Sequence, residues 1–367
     1  MSTVFFAGGG TGGHLMPALA IADAMVRLDP SIRPFFVGGL RGVESNVLPQ
    51  RPWPYELLPL EPLYRRQWWM NVTLPSSLFR VVRRVGRLVA EESPALVVGT
   101  GGYVAGPVVW KAIRLGVPAV LQEQNAFPGI ATRRLARQVR QIHLGFPEAR
   151  NHLAPGAGTE VLDTGNPILP PPDPMPGRVE AKRKLGLDPA KPTALVVGGS
   201  QGALAVNQAV DAAVCGGLLP SGVQLIWQTG AATYDKFSHR DIPGLILVRP
   251  FLDPIAEAYA AADVVVSRAG AMTIAELCAW GLPAVLVPLP TAAAGHQLTN
   301  AKALAASGAA VLLEQRDATG EALAGHVGSL LSDSARMAGM SAAARGRAHP
   351  DAAEVIASHV LRVLAGT

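Results

Sequence analysis

A histidine follows a cluster of glycines near the start of this chain, where its residue type suits proton transfer. In FFAGGGTGGHLMPALAIADAM, Gly8, Gly10 and Gly13 come before His14, between an apolar run and a predicted helix. Glycine lets another molecule approach the backbone closely, and a helix N-terminus directs unpaired N–H groups at an anion such as phosphate. Phosphate alone does not require a histidine, a side chain that titrates near neutrality and can remove a hydroxyl proton. The stretch predicts an anion loop beside a candidate base, with a plain turn and a solvent-facing histidine as the alternatives.

The same three glycines match the dinucleotide fingerprint G-x-G-x-x-G, which is a weak signal by itself. Binding of NAD also needs an acidic residue at the end of the second strand, where it holds the ribose. Here that strand ends FFVGGLRG, with Arg41 and no carboxylate at the expected place. The sequence therefore argues against NAD and leaves NADP, bound through Arg41, as an alternative. It also lacks a D-x-D pair to hold a metal–diphosphate complex, and we expect neither a cofactor nor a metal.

Three more loops rich in small residues follow predicted strands. They are GGSQGA at residues 198–203, TGGYVAGP around Tyr103, and SRAGAMTIAELCAWG, which begins at Ser267. Loops that follow parallel strands gather at the carboxyl edge of a sheet, where open α/β sheets bind their ligands. This convergence predicts a nucleotide-type site. Within the last loop, Thr273 and Glu276 have the spacing of a helix capping box, and Glu276 equally suits a ribose diol; the spacing does not separate the two.

The elements around these loops predict a doubly wound α/β architecture. Short β-branched runs such as TVFFAG, ALVVGT, TALVVGG and DVVVSRAG alternate with helical patterns, as buried parallel strands do. A chain of 367 residues is too long for a single hydrophobic core of ordinary size. The proline-rich segment GNPILPPPDPMPGR separates two halves that each contain strand, glycine loop and helix. We therefore expect two Rossmann-like domains with parallel sheets facing each other across a cleft, over residues 1–163 and 164–348.

The overall charge and the cysteines restrict the partners and the location. A formal charge of +5 and a pI near 9.5 favour anionic partners such as nucleotides, phosphorylated lipids or a membrane surface. Cys215 and Cys278 are isolated in the sequence, which favours a reducing cytosol over a disulfide framework. The first residues lack the basic start and cleavage site of a signal peptide, and no run of about 20 apolar residues occurs. We expect a soluble protein that can lie on a membrane.

An arginine-rich segment, YRRQWWMNVTLPSSLFRVVRRVGRLVAEE, contains no acidic residue between Glu61 and Glu91. From about Ser76 it has the pattern of an amphipathic helix. Its predicted apolar face comprises Leu78, Val82, Val85 and Val89. Its predicted basic face comprises Arg80, Arg84 and Arg87. Tryptophan favours the headgroup region of a bilayer and arginine an anionic surface, so we expect the arginines and the preceding Trp68 and Trp69 to contact a membrane. The alternatives are an ordinary surface helix and binding of nucleic acid, which we do not expect because the other motifs suit sugar nucleotides.

Seven motifs occur in order across nearly the whole chain: GGGTGGH, GTGGYVAGP, EQNAFPG, TGNP, GGSQGA, SRAGAMTIAE and GHQLTNA. This set resembles the MurG family of glycosyltransferases. Its members transfer N-acetylglucosamine (GlcNAc) from UDP-GlcNAc to the MurNAc 4-hydroxyl of undecaprenyl-pyrophosphoryl-MurNAc-pentapeptide (lipid I), which gives lipid II in peptidoglycan synthesis for the cell wall. The alternatives are another GT-B enzyme such as a UDP-GlcNAc 2-epimerase, an NADP oxidoreductase, and a membrane-docked scaffold.

The resemblance implies a GT-B fold, an inverting reaction without a bound metal, and a peripheral place on the cytoplasmic face of the cell membrane. It also implies that the last helix, within residues 349–367, crosses back to the first domain.

The resemblance also implies roles for residues, motif by motif. His14 is the implied base and Glu276 the implied ribose ligand. The backbone of Leu252 is implied to contact uracil, Ser200 to hold pyrophosphate, and Gln297 to bind sugar hydroxyls. The other implied substrate-binding residues are Thr11, Gly12, Gly13, Tyr103, Asn125, Gln201, Gly202, Arg268, Ala271, Met272, Thr273, Ile274, Ala275 and Asn300.

Three positions depart from the family pattern. Leu169 stands in GNPIL where the family usually has an arginine that reaches the donor. Gln122 replaces the usual histidine in QEQN, and Gly295 replaces the usual aspartate in GHQ. Phosphate binding then depends more on Ser200, on loop amides and on Arg268. These differences imply differently tuned turnover and do not imply a loss of activity.

Overall fold

The computed structural model describes residues 1–60, 74–199 and 202–366. The chain forms two compact units, one of Met1–Leu169 with Asp351–Thr367 and one of Pro170–Pro350. Each unit contains a parallel sheet with helices packed on it. The α/β class predicted from the alternation of apolar runs and helical patterns is therefore confirmed. The predicted site residues Ser200 and Gln201, and the predicted membrane contacts Trp68 and Trp69, lie outside the described residues.

The first unit contains a sheet of seven strands within the described ranges. The strands are β1 (Ser2–Gly8), β2 (Ile32–Gly39), β3 (Tyr55–Leu58), β4 (Leu96–Gly101), β5 (Ala119–Glu123), β6 (Gln141–Leu144) and β7 (Glu160–Asp163). The helices between them are α1 (Gly12–Leu28), α2 (Glu44–Val47), α3 (Leu74–Glu92), α4 (Gly102–Arg114) and α5 (Ile130–Leu135). The strand order is β3-β2-β1-β4-β5-β6-β7, so the winding direction reverses between β1 and β4.

The second unit contains a sheet of six strands among its described residues. The strands are β8 (Thr193–Val197), β9 (Gln224–Gln228), β10 (Ile246–Arg249), β11 (Val264–Ser267), β12 (Ala284–Leu286) and β13 (Ala310–Leu312). The helices are α6 (Arg178–Lys184), α7 (Leu204–Cys215), α8 (Tyr234–Phe237), α9 (Ile255–Ala261), α10 (Ala271–Trp280), α11 (His296–Ala306), α12 (Gly320–Leu331) and α13 (Ser334–Arg345). The order β10-β9-β8-β11-β12-β13 reverses between β8 and β11.

The central strand of the first unit is buried on both faces, which explains its continuous apolar sequence. Phe5 packs on one face of the sheet with residues of α3 and α4 such as Val81 and Val108. Phe6 packs on the opposite face with residues of α1 such as Leu15. Because alternate side chains of a strand point to opposite faces, both sets of positions in β1 must be apolar.

The last helix of the chain, α14 (Ala352–Ala365), belongs to the first unit. Its buried residues Ile356, Ala357 and Val360 join the same apolar cluster as Leu15 and Leu19 of α1. The contact is therefore part of the core, and the first unit is built from both ends of the sequence.

The predicted apolar face of α3 is right at Val85 and wrong at Leu78. The helix begins at Leu74, and its buried apolar residues are Val81, Val85 and Leu88, whereas Leu78 is 40% exposed and Val82 and Val89 are partly buried. Neighbouring positions on a helix lie about 100° apart, so the buried stripe passes through Val81 and Leu88, one position before the predicted Val82 and Val89. Of the helices in the described part of the chain, none is both long and apolar enough to cross a membrane.

His143 of β6 is a fully buried histidine whose ring is edge-on to His359 of α14, with 5.7 Å between the ring centroids. Its Nδ1 lies 3.4 Å from Oγ1 of Thr164. Burial, with a further contribution from His359, lowers the pKa of His143 from 6.5 to about 3. The pKa of His359 is also lowered, by burial and by Arg362, against an opposing effect of Glu160.

The lowered pKa of His143 makes the stability of the protein depend on pH. An unfolded histidine takes up its proton near pH 6.5, whereas folded His143 stays neutral down to about pH 3. The contribution of His143 to stability is therefore fully present above pH 6.5 and is lost as the pH falls below it, by up to about 1.4 kcal/mol per pH unit. We predict that His143→Gln has a smaller loss of unfolding free energy between about pH 6.5 and pH 4 in urea titrations. His349→Gln, at an exposed histidine, is the control; parallel curves for wild type and His143→Gln would contradict the assignment.

Candidate functional site

In each unit the loops of interest follow the two strands at which the strand order reverses. In the first unit these are the loops after β1 and β4, and in the second unit the loops after β8 and β11. At such a reversal the two helices leave to opposite faces of the sheet, and a crevice opens at the carboxyl edge of the strands. The glycine motifs of the sequence thus occupy the edge at which α/β units bind ligands.

His14 lies in the first turn of α1 and is half-buried. Its Nδ1 is 3.0 Å from Oε1 of Gln124, which follows β5. The hydroxyl of Thr100 donates to the backbone carbonyl of His14 at 2.8 Å. A Cβ at Gly101 would come within 2.8 Å of Nδ1, so the backbone after β4 lies directly against the imidazole. The carboxyl ends of two neighbouring strands, β4 and β5, therefore hold His14 at this edge.

Glu44 of α2 is a buried carboxylate at this edge that the sequence analysis missed. It is fully buried, and both of its carboxylate oxygens accept from the backbone N–H of Gly10 at 2.9 Å. Its Oε1 also accepts from the N–H of Gly39 at 2.8 Å. A Cβ at Gly9 or Gly42 would lie about 2 Å from this carboxylate, which explains why these positions are glycine. The sequence signal for Glu44 is weak. It is an acidic residue five positions after the end of β2, whereas the dinucleotide fingerprint requires one at the end of that strand.

The predicted anion loop after β1 is therefore open to a ligand only in part. The N–H of Gly10 is committed to Glu44, whereas Thr11 and Gly13 are exposed and Gly12 is partly exposed. Tyr103 lies on the inner side of the loop, since a Cβ at Gly10 would come within 2.7 Å of its ring. The exposed part of the loop is the stretch from Thr11 to His14.

Asn125 lies at the same edge, one residue after Gln124. The buried carboxylate of Glu123 accepts from the backbone N–H of Asn125 at 3.1 Å and from the N–H of Gly129 at 2.9 Å. It also accepts from the hydroxyl of Thr132 in α5 at 2.6 Å. Glu123 thereby fixes the loop from β5 to α5, including Asn125.

The glycine loop of the second unit is shaped by its contact with the loop after β9. Gly202 has φ of +74°, and a Cβ there would come within 2.3 Å of the carbonyl oxygen of Thr229. The Gln228 side chain at the end of β9 links two loops. Its Nε2 lies 3.4 Å from the carbonyl of Gly199, and its Oε1 accepts from the N–H of Leu252 at 3.0 Å. The N–H of Leu252 is thus used within the protein.

A capping box would make Thr273 the N-cap of the helix after β11, but that helix begins earlier. The N-cap of α10 is Gly270, and the helix starts at Ala271, so Thr273 and Glu276 both lie inside it. The capping box is therefore wrong. Oε2 of Glu276 instead accepts from the hydroxyl of Tyr259 at 2.8 Å. Burial raises the pKa of Glu276, and the hydrogen bond from Tyr259 opposes that rise.

The other residues of α10 that were predicted to bind the substrate differ in their exposure. Ala271 and Ile274 are buried in the core, whereas Met272, Thr273 and Ala275 are partly exposed. The partly exposed residues are those that a ligand at the edge can reach.

Arg268, Gln297 and Asn300 support the same edge of the second unit. The guanidinium of Arg268 donates to the carbonyl of Val287 at 3.0 Å and to Oε1 of Gln315 at 2.7 Å, and burial lowers its pKa. Oε1 of Gln297 accepts from the N–H of Leu289 at 2.9 Å. Asn300 is fully buried, and its Nδ2 donates to the carbonyl of Ala269 at 3.3 Å. Asn300 therefore holds the loop after β11 from behind.

The three departures from the family pattern lie in different environments. Leu169 is 88% exposed, so its side chain is solvated. Gly295 is the N-cap of α11 with φ of +67°, and open space surrounds the position of a Cβ. Gln122 is buried and bonds to Gln124, the residue that contacts His14. Among the described residues no group of three or more His, Cys, Asp or Glu side chains is placed to hold a metal ion.

The predicted basic face of α3 needs one correction. Arg80 and Arg87 are exposed, and Arg83 and Phe79 are exposed beside them. Arg84 lies on the flank of the helix instead, where its guanidinium is 2.8 Å from Glu56 of β3 and 3.1 Å from Glu91. Two carboxylates therefore compensate the charge of Arg84, and the outward basic face consists of Arg80, Arg83 and Arg87.

GT-B glycosyltransferases consist of two Rossmann-like domains. This chain has two such units, each with loops at the point where its strand order reverses. Residues 4–144 match the glycosyltransferase family 28 N-terminal domain, and residues 193–356 match the glycosyltransferase family 28 C-terminal domain. The chain belongs to glycosyltransferase family 28.

Named relatives cover the whole chain. The UDP-N-acetylglucosamine–N-acetylmuramyl-(pentapeptide) pyrophosphoryl-undecaprenol N-acetylglucosamine transferase of Chlorobaculum tepidum is 40% identical, over 98% of each chain. The enzyme of the same name from Chlorobium luteolum is 39% identical, also over 98% of each chain. The crystal structure of Acinetobacter baumannii MurG superimposes with a TM-score of 0.77 and 27% identity, over 98% of this chain and 99% of that one. The resemblance to the MurG family is confirmed.

A structure of a UDP-N-acetylglucosamine 2-epimerase has a TM-score of 0.65 and 13% identity, over 100% of this chain and 97% of that one. At this identity the likeness concerns the fold alone.

Proposed function

We propose that this chain transfers GlcNAc from UDP-GlcNAc to the MurNAc 4-hydroxyl of lipid I, which gives lipid II for peptidoglycan synthesis. The observation that carries the proposal is 39–40% identity, over nearly the full length of both chains, to transferases with that printed name. The rival activity, epimerisation of UDP-GlcNAc, has less support, because the epimerase shares the fold at only 13% identity.

The second unit is proposed to bind the donor. Glu276 has a carboxylate oriented by Tyr259 at the edge after β11, where it suits the two hydroxyls of a ribose. The loop around Gly199 and Gly202 offers backbone amides next to the positive end of α7, which favours a diphosphate. The backbone of Leu252 is proposed to contact uracil through its carbonyl, since its N–H is bonded to Gln228, a bond that also fixes the loop.

The remaining proposed donor contacts come from three motifs. Ser200 and Gln201 of the glycine loop are proposed for the pyrophosphate. Gln297 is proposed for sugar hydroxyls, and the partly exposed Met272, Thr273 and Ala275 for the nucleoside. Arg268 adds positive charge near the diphosphate.

The first unit is proposed to bind the acceptor and to supply the base. The stretch from Thr11 to Gly13, with Asn125 and Tyr103, is proposed to surround the substrate beside His14. His14 takes the proton of the MurNAc 4-hydroxyl while the oxygen attacks C1 of GlcNAc. The new C1–O bond forms as the bond from C1 to the diphosphate oxygen breaks, and UDP leaves with that electron pair. Attack opposite the leaving group inverts C1, so an α-linked donor gives a β-1,4 product.

We predict that the wild-type protein converts UDP-GlcNAc and a lipid I analogue to the disaccharide product, and that UDP-GlcNAc alone is not converted. His14→Ala should lower kcat about 10²–10⁴-fold, the range of one general base, and leave UDP binding unchanged. The measurement is chromatographic detection of the disaccharide with a saturating acceptor, and His152→Ala, at an exposed histidine of the same unit, is the control. Near-full transfer by His14→Ala would remove the base role, and conversion without the acceptor would favour the epimerase.

The proposed role of Glu276 as a ribose ligand predicts how UDP binding depends on pH. A protonated carboxyl is a poorer acceptor for ribose hydroxyls, so affinity should fall as the pH drops through the raised pKa of Glu276. Tyr259→Phe removes the hydrogen bond that lowers this pKa, so the fall should begin at a higher pH than in the wild type. Glu276→Gln should bind UDP roughly 10- to 100-fold more weakly. Calorimetric titration with UDP measures both effects. The control is Tyr234→Phe; an equal midpoint for Tyr259→Phe and wild type would argue against Glu276 as a ligand.

We also propose that the outward face of α3 contacts an anionic membrane at the cytoplasmic face of the cell membrane, where lipid I is held by its lipid chain. Arginines on a surface helix are attracted to anionic headgroups, and an exposed aromatic ring suits the interfacial region. Arg80, Arg83 and Arg87 point outward on α3 beside Phe79, which is 67% exposed. Trp68 and Trp69 are part of the same proposal.

Reversal of these charges tests the membrane contact. We predict that Arg80→Glu/Arg83→Glu/Arg87→Glu weakens co-sedimentation with vesicles of phosphatidylglycerol and phosphatidylethanolamine by roughly 100-fold or more, since each basic residue contributes about 1 kcal/mol. The matched control reverses three exposed arginines elsewhere on the first unit, Arg134, Arg137 and Arg140. Equal losses in both triple variants would indicate a general effect of net charge.

A further inference from the structure

A chain of three buried amides leads to His14. Nδ2 of Asn166 donates to the backbone carbonyl of Gln124 at 3.0 Å, and Oδ1 of Asn166 accepts from Nε2 of Gln122 at 3.0 Å. The side-chain oxygen of Gln122 accepts in turn from Nε2 of Gln124. Oε1 of Gln124 then lies 3.0 Å from Nδ1 of His14. All three amide side chains are at most 3% exposed, so water does not satisfy them.

Backbone carbonyls determine which way each amide points. A carbonyl oxygen only accepts hydrogen bonds, so Asn166 must direct its NH₂ group at the carbonyl of Gln124 and its oxygen at Gln122. Gln122 must then donate to Asn166 and direct its own oxygen at Gln124. Nε2 of Gln124 also donates to the carbonyl of Thr100 at 2.6 Å. A flipped Gln124 would place its oxygen against these other oxygens inside a buried site, at the cost of unsatisfied polar groups.

The fixed oxygen of Gln124 determines the tautomer of His14. Since Oε1 only accepts, the Nδ1 atom 3.0 Å away must carry a hydrogen. In the neutral ring the lone pair is then on Nε2, because the hydrogen bond at one ring nitrogen sets the state of the other. Within the described residues, the bond to Gln124 is the only side-chain hydrogen bond of His14.

We infer that Gln124, oriented by Gln122 and Asn166, is a positioning residue that holds His14 as the Nδ1–H tautomer and presents Nε2 to the acceptor hydroxyl. When Nε2 takes the proton, the Nδ1–H group remains bonded to Gln124, so the imidazolium forms without rearrangement of the site. The proton transfer rests on the proposed function, whereas the tautomer is a property of the unliganded protein.

The tautomer is measurable in the full-length protein labelled with ¹⁵N-histidine and without any ligand. Two-bond ¹H–¹⁵N correlation spectra at about pH 8.5, two units above the ordinary histidine value, observe neutral rings. The signals absent from His14→Asn identify His14. We expect a protonated, pyrrole-type Nδ1 and an unprotonated, pyridine-type Nε2. An Nε2–H form in the wild type would overturn the inference.

Variants of Gln124 separate positioning from packing. Gln124→Leu should give averaged signals of both tautomers and lower kcat about 10²-fold, with KM for UDP-GlcNAc within about twofold of the wild type. Gln124→Glu keeps an acceptor oxygen at the same place, so it should keep the Nδ1–H form. The control is Gln141→Leu, which removes a buried glutamine of β6 bonded to Glu160 and should leave the His14 signals unchanged.

The outcomes distinguish the inference from the proposed function. An unchanged His14 spectrum in Gln124→Leu would overturn the positioning role. An Nδ1–H signal in the wild type together with full transfer by His14→Ala would support the tautomer assignment and overturn the catalytic use of His14.

Discussion

The site in each unit depends on one constraint, which is that loop backbone at the carboxyl edge of a parallel sheet has no strand or helix partner. Buried side chains supply the missing hydrogen bonds. In the first unit Glu44 accepts from the loop after β1 and from the end of β2. In the second unit Gln228 bonds to both the glycine loop and the loop that contains Leu252. In the first unit the carboxylate of Glu44 also fills the space that a Cβ at Gly9 or Gly42 would need.

The two units use the same arrangement of strands with different side chains at their edges. The first unit places an imidazole, His14, in the helix after β1 and holds it with neutral amides. The second unit places a carboxylate, Glu276, in the helix after β11 and orients it with the hydroxyl of Tyr259. The edges of the two units thus differ in a few side chains, whereas the parallel sheet beneath is of the same kind in both.

The sequence predicted the fold class and the loops well, and the contacts behind the loops poorly. Continuous apolar strands such as β1 are visible because both faces must be buried. Glu44 escaped notice because its bonds to Gly10 and Gly39 depend on where the chain returns in space. The motif that contains Gln124 was recognised, but its effect on His14 joins residues 110 positions apart. The predicted stripe of α3 includes the buried Val85 but misses Val81 and Leu88, because several adjacent positions are apolar and only packing selects among them.

The placement of α14 has a consequence for the order of events during synthesis on the ribosome. Its residues Ile356 and Val360 complete the core beneath α1, yet they follow the whole second unit in the sequence. The sequence of the second unit, which ends at Pro350, has then already emerged nearly in full. Since domains generally fold as units while the chain grows, the later-encoded unit has all of its core residues before the earlier one does. The apolar surface of α1 that α14 covers therefore stays uncovered on the growing chain until α14 has emerged.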